Sequence, residues 1–196
     1  MKILFALASY LLGSVPTGYL LVRWTGREDV RDLGSGNTGA TNVLRVKGWK
    51  AALPVAVFDV LKGFLPAFLA LRWFADPGFA ALCGLFAVAG HCYPFSIGFR
   101  GGKGVATSFG AFVAIALWPS LAGLGVFLVA VGVTGYVSLG SILGSLAFPA
   151  VLAVAGGPWR AAAASAAIAG LVVLRHSGNI VRLLAGRERK LGEKAS

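Results

Sequence analysis

Long apolar stretches, each close to the length of one bilayer crossing, alternate along this chain with short segments crowded with glycine, hydroxyl, amide and cationic side chains. A hydrocarbon core takes about 20 apolar residues per helix. Seven stretches qualify as candidate spans: 3–22, 53–72, 78–97, 104–119, 121–136, 140–156 and 159–174. Several are short or interrupted by Gly or Pro. Seven spans in 196 residues leave little chain for a soluble domain. The pattern therefore predicts one all-α integral membrane domain over 1–196 with a short C-terminal tail. Lys2 before an apolar run resembles a secretory signal, but Gly13-Ser-Val-Pro-Thr-Gly18 lacks a small-x-small cleavage site, so the segment is read as a retained helix.

Composition agrees. Hydrophobic residues make up 57% of the chain, above the ~45–50% of soluble domains. Many of the 28 glycines fall inside the apolar stretches, where small residues let helix backbones approach closely. Trp24, Trp73, Trp118 and Trp159 fall at span ends, the depth indoles favour.

The net charge of +11 adds an orientation. Segments 23–52, 98–103 and 175–196 carry six, two and six Lys or Arg, fourteen of the 18 in all. Cytoplasmic loops hold the Lys/Arg excess, so these segments are expected inside, the N-terminus outside and the C-terminus in the cytoplasm. Seven spans satisfy that parity. No aromatic-interleaved soluble basic surface accompanies the charge, which argues against nucleic acid as a partner; membrane lipid headgroups are the expected contact. The two cysteines, nine apart, suggest packing. Seven carboxylates without a cluster argue against a metal centre, and no other cofactor is implied.

The polar segments carry the chemistry. Gly34-Ser-Gly-Asn-Thr-Gly39 matches G-x-G-x-x-G but lacks the strand context of a dinucleotide site. Its glycines, Gly34 and Gly36 among them, predict a backbone nest for an anion, with a helix starting near Thr38. Ser35, Asn37 and Thr41 add donors and Arg45 a guanidinium fork; a surface turn with capping residues is the alternative. Gly101-Gly-Lys-Gly104 fails the P-loop pattern, because Ile97 stands where its first Gly belongs and Gly104 replaces Ser or Thr. Lys103 between glycines still presents an ammonium to an anion. His176 and Asn179 share a face, flanked by Arg175 and Arg182. His91 is expected to make a structural hydrogen bond. Asp59 and Lys62, three apart within a span, are expected to pair as a clamp beneath the site.

Three ordered motifs resemble the bacterial acyl-phosphate:glycerol-3-phosphate acyltransferase family: Gly34–Arg45; Gly90-His-Cys-Tyr-Pro94 with Phe99–Thr107; and His176–Leu184 with Gly186 and Glu188. Asp59–Gly63 and Tyr136–Ile142 are similar to further family signatures; Gly135 departs from the Arg of many members. The resemblance implies a seven-span inner-membrane enzyme with a cytoplasm-facing site. It would move an acyl group from acyl phosphate to the 1-hydroxyl of sn-glycerol 3-phosphate, giving lysophosphatidate and phosphate in phospholipid synthesis. By the same resemblance Ser35, Arg45 and Lys103 grip glycerol phosphate and His176 and Asn179 complete the pocket. Gly101, Gly102 and Ser141 hold the acyl phosphate's phosphoryl group. The enzyme that makes acyl phosphate is a candidate partner. The rival from another class is an organophosphate transporter, which requires polar positions continuing through the spans.

Overall fold

The computed structural model describes residues 1–193, and all regular structure among them is helical. The order is α1 (Lys2–Gly13), α2 (Thr17–Gly26), α3 (Ala40–Lys47), α4 (Trp49–Phe74), α5 (Pro77–Cys92), α6 (Val105–Ile115), α7 (Leu117–Thr134), α8 (Val137–Val154), α9 (Trp159–Arg175) and α10 (Ser177–Leu184). Five stretches are long and apolar enough to cross a membrane: Lys2–Gly26, Trp49–Phe74, Pro77–Ile97, Leu117–Thr134 and Val137–Val154. The α9–α10 pair makes a sixth if its 59° bend counts as one broken span.

Two expected spans differ from the pattern read in the sequence. The first breaks at Ser14-Val15-Pro16, because Pro16 brings no N–H to continue the ladder. The stretch 104–119 is not a full crossing. α6 has 11 residues, about 16 Å at 1.5 Å per residue. It ends where Ala116 turns extended (φ −157°, ψ 112°), and α7 starts at once. The loop that precedes it buries Gly101 and Gly102 inside the protein.

Backbone-to-backbone contacts set the helix pairs that frame this region. A Cβ on Gly63 would come to 1.9 Å from Thr107 O, and one on Gly110 to 2.0 Å from Val60 O, so α4 and α6 touch through bare backbone. Phe112 of α6 stacks on Phe148 of α8, ring centroids 4.0 Å apart, in the core shared by α5, α6, α8 and α9. At one end of the bundle Lys2 bonds Asp76 at 2.9 Å and Gly78 abuts Arg160. At the other, Arg31 donates to Ile97 O at 2.8 Å, Arg175 to Gly102 O at 3.1 Å, and the Leu191 N–H to Gly135 O at 2.8 Å. The three polar segments all gather at this second end.

Candidate active site

One cavity of about 360 Å³ opens among α3, α4, α6, α7, α8 and α10. Eight of the residues singled out from sequence line it: Ser35, Asn37, Thr41, Arg45, Lys103, Ser141, His176 and Asn179. Gly34, Gly36, Gly101 and Gly102 are not on its wall, and the reason is hydrogen bonding.

The 34–39 turn is organised by Asn42, which is 1% exposed on α3. Its Oδ1 accepts the Ser35 N–H at 2.8 Å, and its Nδ2 donates to Val30 O, Leu33 O and Asn37 O. The Gly36 N–H goes to Leu33 O and the Gly39 N–H to Asn37 Oδ1. Three amides of the expected nest, those of Ser35, Gly36 and Gly39, are therefore already paired inside the protein. Gly34 (φ +61°) is required for another reason: a Cβ there would lie 2.4 Å from Asn42 Oδ1. The loop's product is placement, since it presents Ser35, Thr41 and Arg45 to the cavity. The helix it feeds begins at Ala40, two residues beyond the expected start.

The glycine loop before α6 behaves alike. The Gly101 N–H donates to Cys92 O at 3.2 Å and the Gly102 N–H to His91 O at 3.0 Å, while Arg175 donates to both of their carbonyls at 3.1 Å. These glycines give close packing against His91 rather than free donors. Lys103 emerges from that clamp, and its Nζ donates to Asn179 Oδ1 at 2.5 Å.

Asn179 in turn donates to Glu188 Oε1 at 2.6 Å, and Glu188 Oε2 accepts from Arg182 at 2.8 Å. Glu188 thus draws the C-terminal tail across to the cavity wall; in sequence it stood out only as part of the family motif. Burial pushes its carboxyl up, but the bonds from Asn179 and the Arg182 guanidinium prevail and hold it below the usual range. Burial pushes the Lys103 ammonium down to about 8 and also lowers Arg45. Both cations are half-buried and lack a carboxylate salt bridge among the described residues. An anion in the cavity would supply the charge they lack.

His176 caps the α9–α10 bend with Nδ1 2.8 Å from Val172 O. A carbonyl only accepts, so Nδ1 carries the proton and the neutral ring keeps Nε2 as an acceptor. Ser141 donates its hydroxyl to Val137 O at 2.8 Å, leaving oxygen lone pairs. Asp59 and His91 also reach the lining. Asp59 pairs with Lys62 at 2.8 Å, as the clamp reading expected. The hydrogen bond expected of His91 is absent: buried Nδ1 has no partner and faces Asp59 Oδ1 at 3.6 Å.

What the sequence motifs did not reveal is how many helices point their N-termini here. Ala40 and Thr41 of α3, Val105 and Ala106 of α6, and Val137 and Ser138 of α8 are first-turn residues, and all line the cavity. First-turn N–H groups have no partner within their own helix, and each terminus carries about half a positive charge. Between α7 and α8 the lining is largely apolar, with Leu124, Phe127 and Val137 beside the hydroxyls of Ser120, Ser138 and Ser145. A helical bundle with positive helix ends and cations in one cavity, and an apolar flank beside them, defines an integral membrane protein suited to hold anionic headgroups at the lipid boundary.

The comparisons narrow that class. The model of the family described as glycerol-3-phosphate acyltransferase matches residues 3–186. A glycerol-3-phosphate acyltransferase of Parasynechococcus marenigrum (strain WH8102) is 45% identical over 187 residues, covering 95% of this chain and 88% of its own. The crystal structure of PlsY (YgiH), an integral membrane glycerol 3-phosphate acyltransferase, in its glycerol 3-phosphate form superposes with a TM-score of 0.93 at 40% identity, covering 97% of this chain and 96% of the other. Its lysophosphatidic acid form gives 0.90 at 38% identity, covering 97% and 95%. The chain belongs to the glycerol-3-phosphate acyltransferase family.

Proposed function

We propose that this enzyme transfers an acyl group from acyl phosphate to the 1-hydroxyl of sn-glycerol 3-phosphate, releasing lysophosphatidate and inorganic phosphate for phospholipid synthesis. The observation that carries the reading is the single cavity uniting Arg45, Lys103, His176 and Asn179 with three helix N-termini. Two phosphate-bearing substrates need that much positive potential, and relatives named for glycerol 3-phosphate and a solved lysophosphatidic acid form supply the substrate class.

Ser35, Arg45 and Lys103 grip the glycerol phosphate, and His176 and Asn179 complete that half. The acyl phosphate's phosphoryl group faces Ser141 and the first turns of α6 and α8, whose amides lack intrahelical partners, while Gly101 and Gly102 hold Lys103 in place. The hydroxyl oxygen attacks the acyl carbon, the C–O bond to phosphate breaks, and phosphate leaves with the electron pair. The hydroxyl proton passes to a phosphate oxygen, with His176 Nε2 as the alternative acceptor. Acyl phosphate is already activated, so positioning and charge stabilisation suffice and no covalent acyl-enzyme is needed.

Seven crossings and an inward-facing site follow the same logic. The end bearing Lys103, Arg175 and the tail carries the cationic segments and belongs in the cytoplasm; the end with Lys2, Asp76 and Arg160 lies outside. α6 with its buried loop completes the seventh crossing. The membrane is the bacterial inner membrane, and the maker of acyl phosphate is the natural partner. A transporter reading requires polar lining that continues to the outer end; the α7–α8 flank offers the hydroxyls of Ser120, Ser138, Ser141 and Ser145 but no charged side chain. Purified protein offered acyl phosphate or acyl-CoA with labelled glycerol 3-phosphate tests the assignment. Lysophosphatidate from acyl phosphate alone is expected; label accumulating in liposomes without acylation would sink it.

A further inference from the structure

His91 has no role in the chemistry above, yet the site leans on it from two sides. Nδ1 of the ring faces Asp59 Oδ1 on α4 at 3.6 Å, just beyond hydrogen-bond length. The opposite edge meets the glycine loop: a Cβ on Gly102 would lie 2.0 Å from Nε2, 2.8 Å from Cε1 and 2.9 Å from Cδ2. All three nearest atoms belong to this one ring. The backbone of His91 also accepts the Gly102 N–H at 3.0 Å. The residue after Gly102 is Lys103.

Asp59 is itself fixed. Thr17 Oγ1 donates to its Oδ1 at 2.5 Å, and Lys62 Nζ, 2.8 Å from the same oxygen, donates at 2.9 Å to Val15 O in the α1–α2 break. A rigid line therefore runs from that break through the Asp59 carboxylate and the imidazole to the backbone beneath the lysine. Ionisable groups at such depth are costly to retain without a task.

We infer that His91 is a positioning residue whose imidazole, oriented by Asp59, forms the platform on which Gly102 rests and so sets where Lys103 meets the glycerol phosphate. This deepens the acyl-transfer reading and rests on it. Gly102 is glycine because the ring occupies the space of a side chain, not because an anion needs its amide. In this role His91 acts through Lys103, although it also reaches the cavity lining.

The structure makes the two residues a steric pair, so a double-mutant cycle reads the inference. His91→Asn keeps a polar atom toward Asp59 and withdraws the edge that faces Gly102. His91→Asn and Gly102→Ala should each raise KM for glycerol 3-phosphate about tenfold with kcat within about threefold, because uniform binding is lost. In the double variant the new methyl enters the vacated space, and KM should be no higher than for Gly102→Ala alone. Thermal melting of each purified variant confirms a folded protein. If His91→Asn does not fold, Asp59→Asn, which keeps an acceptor for Thr17 and Lys62, should show the same selective rise in KM. KM defects that multiply in the double variant overturn the inference, as does a folded Asp59→Asn with unchanged KM. A wild-type protein unable to make lysophosphatidate from acyl phosphate overturns the functional reading and this inference with it. A working wild type with a multiplicative cycle overturns the inference alone.

Discussion

The ammonium of Lys103 donates to the side-chain oxygen of Asn179 across 2.5 Å, joining the loop before α6 to α10 over 76 residues of sequence. Asn179 passes the link to Glu188 and so to the tail. The amide oxygen thus holds the cation at the cavity wall.

Removing the cation should be costly. Lys103→Ala is expected to lower kcat/KM by about 10²–10³, the range for deleting one preorganised donor to developing charge. Asn179→Ala, which loses a bond to a charged group, should cost about tenfold to a hundredfold. Rates of lysophosphatidate formation decide both; near-normal turnover in Lys103→Ala would refute the assignment.

The half-buried lysine also sets a pH signature. With its free-site value pushed down to about 8, Lys103 is charged below that pH and neutral above it. KM for glycerol 3-phosphate should therefore climb as pH passes 8. Lys103→Arg keeps its charge throughout, so its alkaline limb should move up. Stability runs the other way. The unfolded chain binds the proton up to about 10.4, so folding gains stability as pH rises from 8 toward that value. A pH–KM profile together with pH-dependent melting checks both signs; an alkaline limb shared by wild type and Lys103→Arg would remove Lys103 from the account.

Substituting His176 separates the two proton routes. If a substrate phosphate oxygen takes the proton, His176→Gln should weaken binding and leave the shape of the pH–rate profile intact. Loss of the acid limb in that variant would make His176 the base.

The α4–α6 contact should tolerate no methyl. Gly63→Ala meets Thr107 O at 1.9 Å and Gly110→Ala meets Val60 O at 2.0 Å, both rigid backbone. Each should cost about 1–3 kcal/mol or more through overpacking. Gly170→Ala on α9, with nothing within 4 Å, serves as the neutral control. Thermal melting in detergent measures the difference.

Breaking the buried ion pair one partner at a time should be worse than removing its charge altogether. Lys62→Met leaves Asp59 unpaired and should cost about 3–5 kcal/mol. Asp59→Asn with Lys62→Met should recover much of that. Equal melting points for the single and double variants would show the pair carries no such strain.

Much of this was legible along the chain. The apolar stretches placed α4, α5 and α8 near their observed bounds, because a hydrocarbon solvent imposes one pattern on any helix that crosses it. The three polar motifs pointed to Ser35, Arg45, Lys103, His176 and Asn179, and these do line one cavity. The length of α6 was not legible, since 104–119 reads as apolar whether or not Ala116 turns extended. Nor was the part played by the glycines: Gly34, Gly101 and Gly102 read as an anion nest, yet their neighbourhoods are filled by Asn42 and His91.

The sequence by itself determined that this protein is a membrane-embedded helical bundle, and which side chains bear its polar chemistry, because both follow from composition and local spacing. Only the tertiary structure decided which polar groups remain free to act. The N–H groups of Ser35, Gly36, Gly39, Gly101 and Gly102 are paired internally, while the first turns of α3, α6 and α8, whose N–H groups have no partner in their own helix, line the cavity. Hydrogen-bond partnership at membrane depth is settled by residues distant in sequence, and no local pattern records who those partners are.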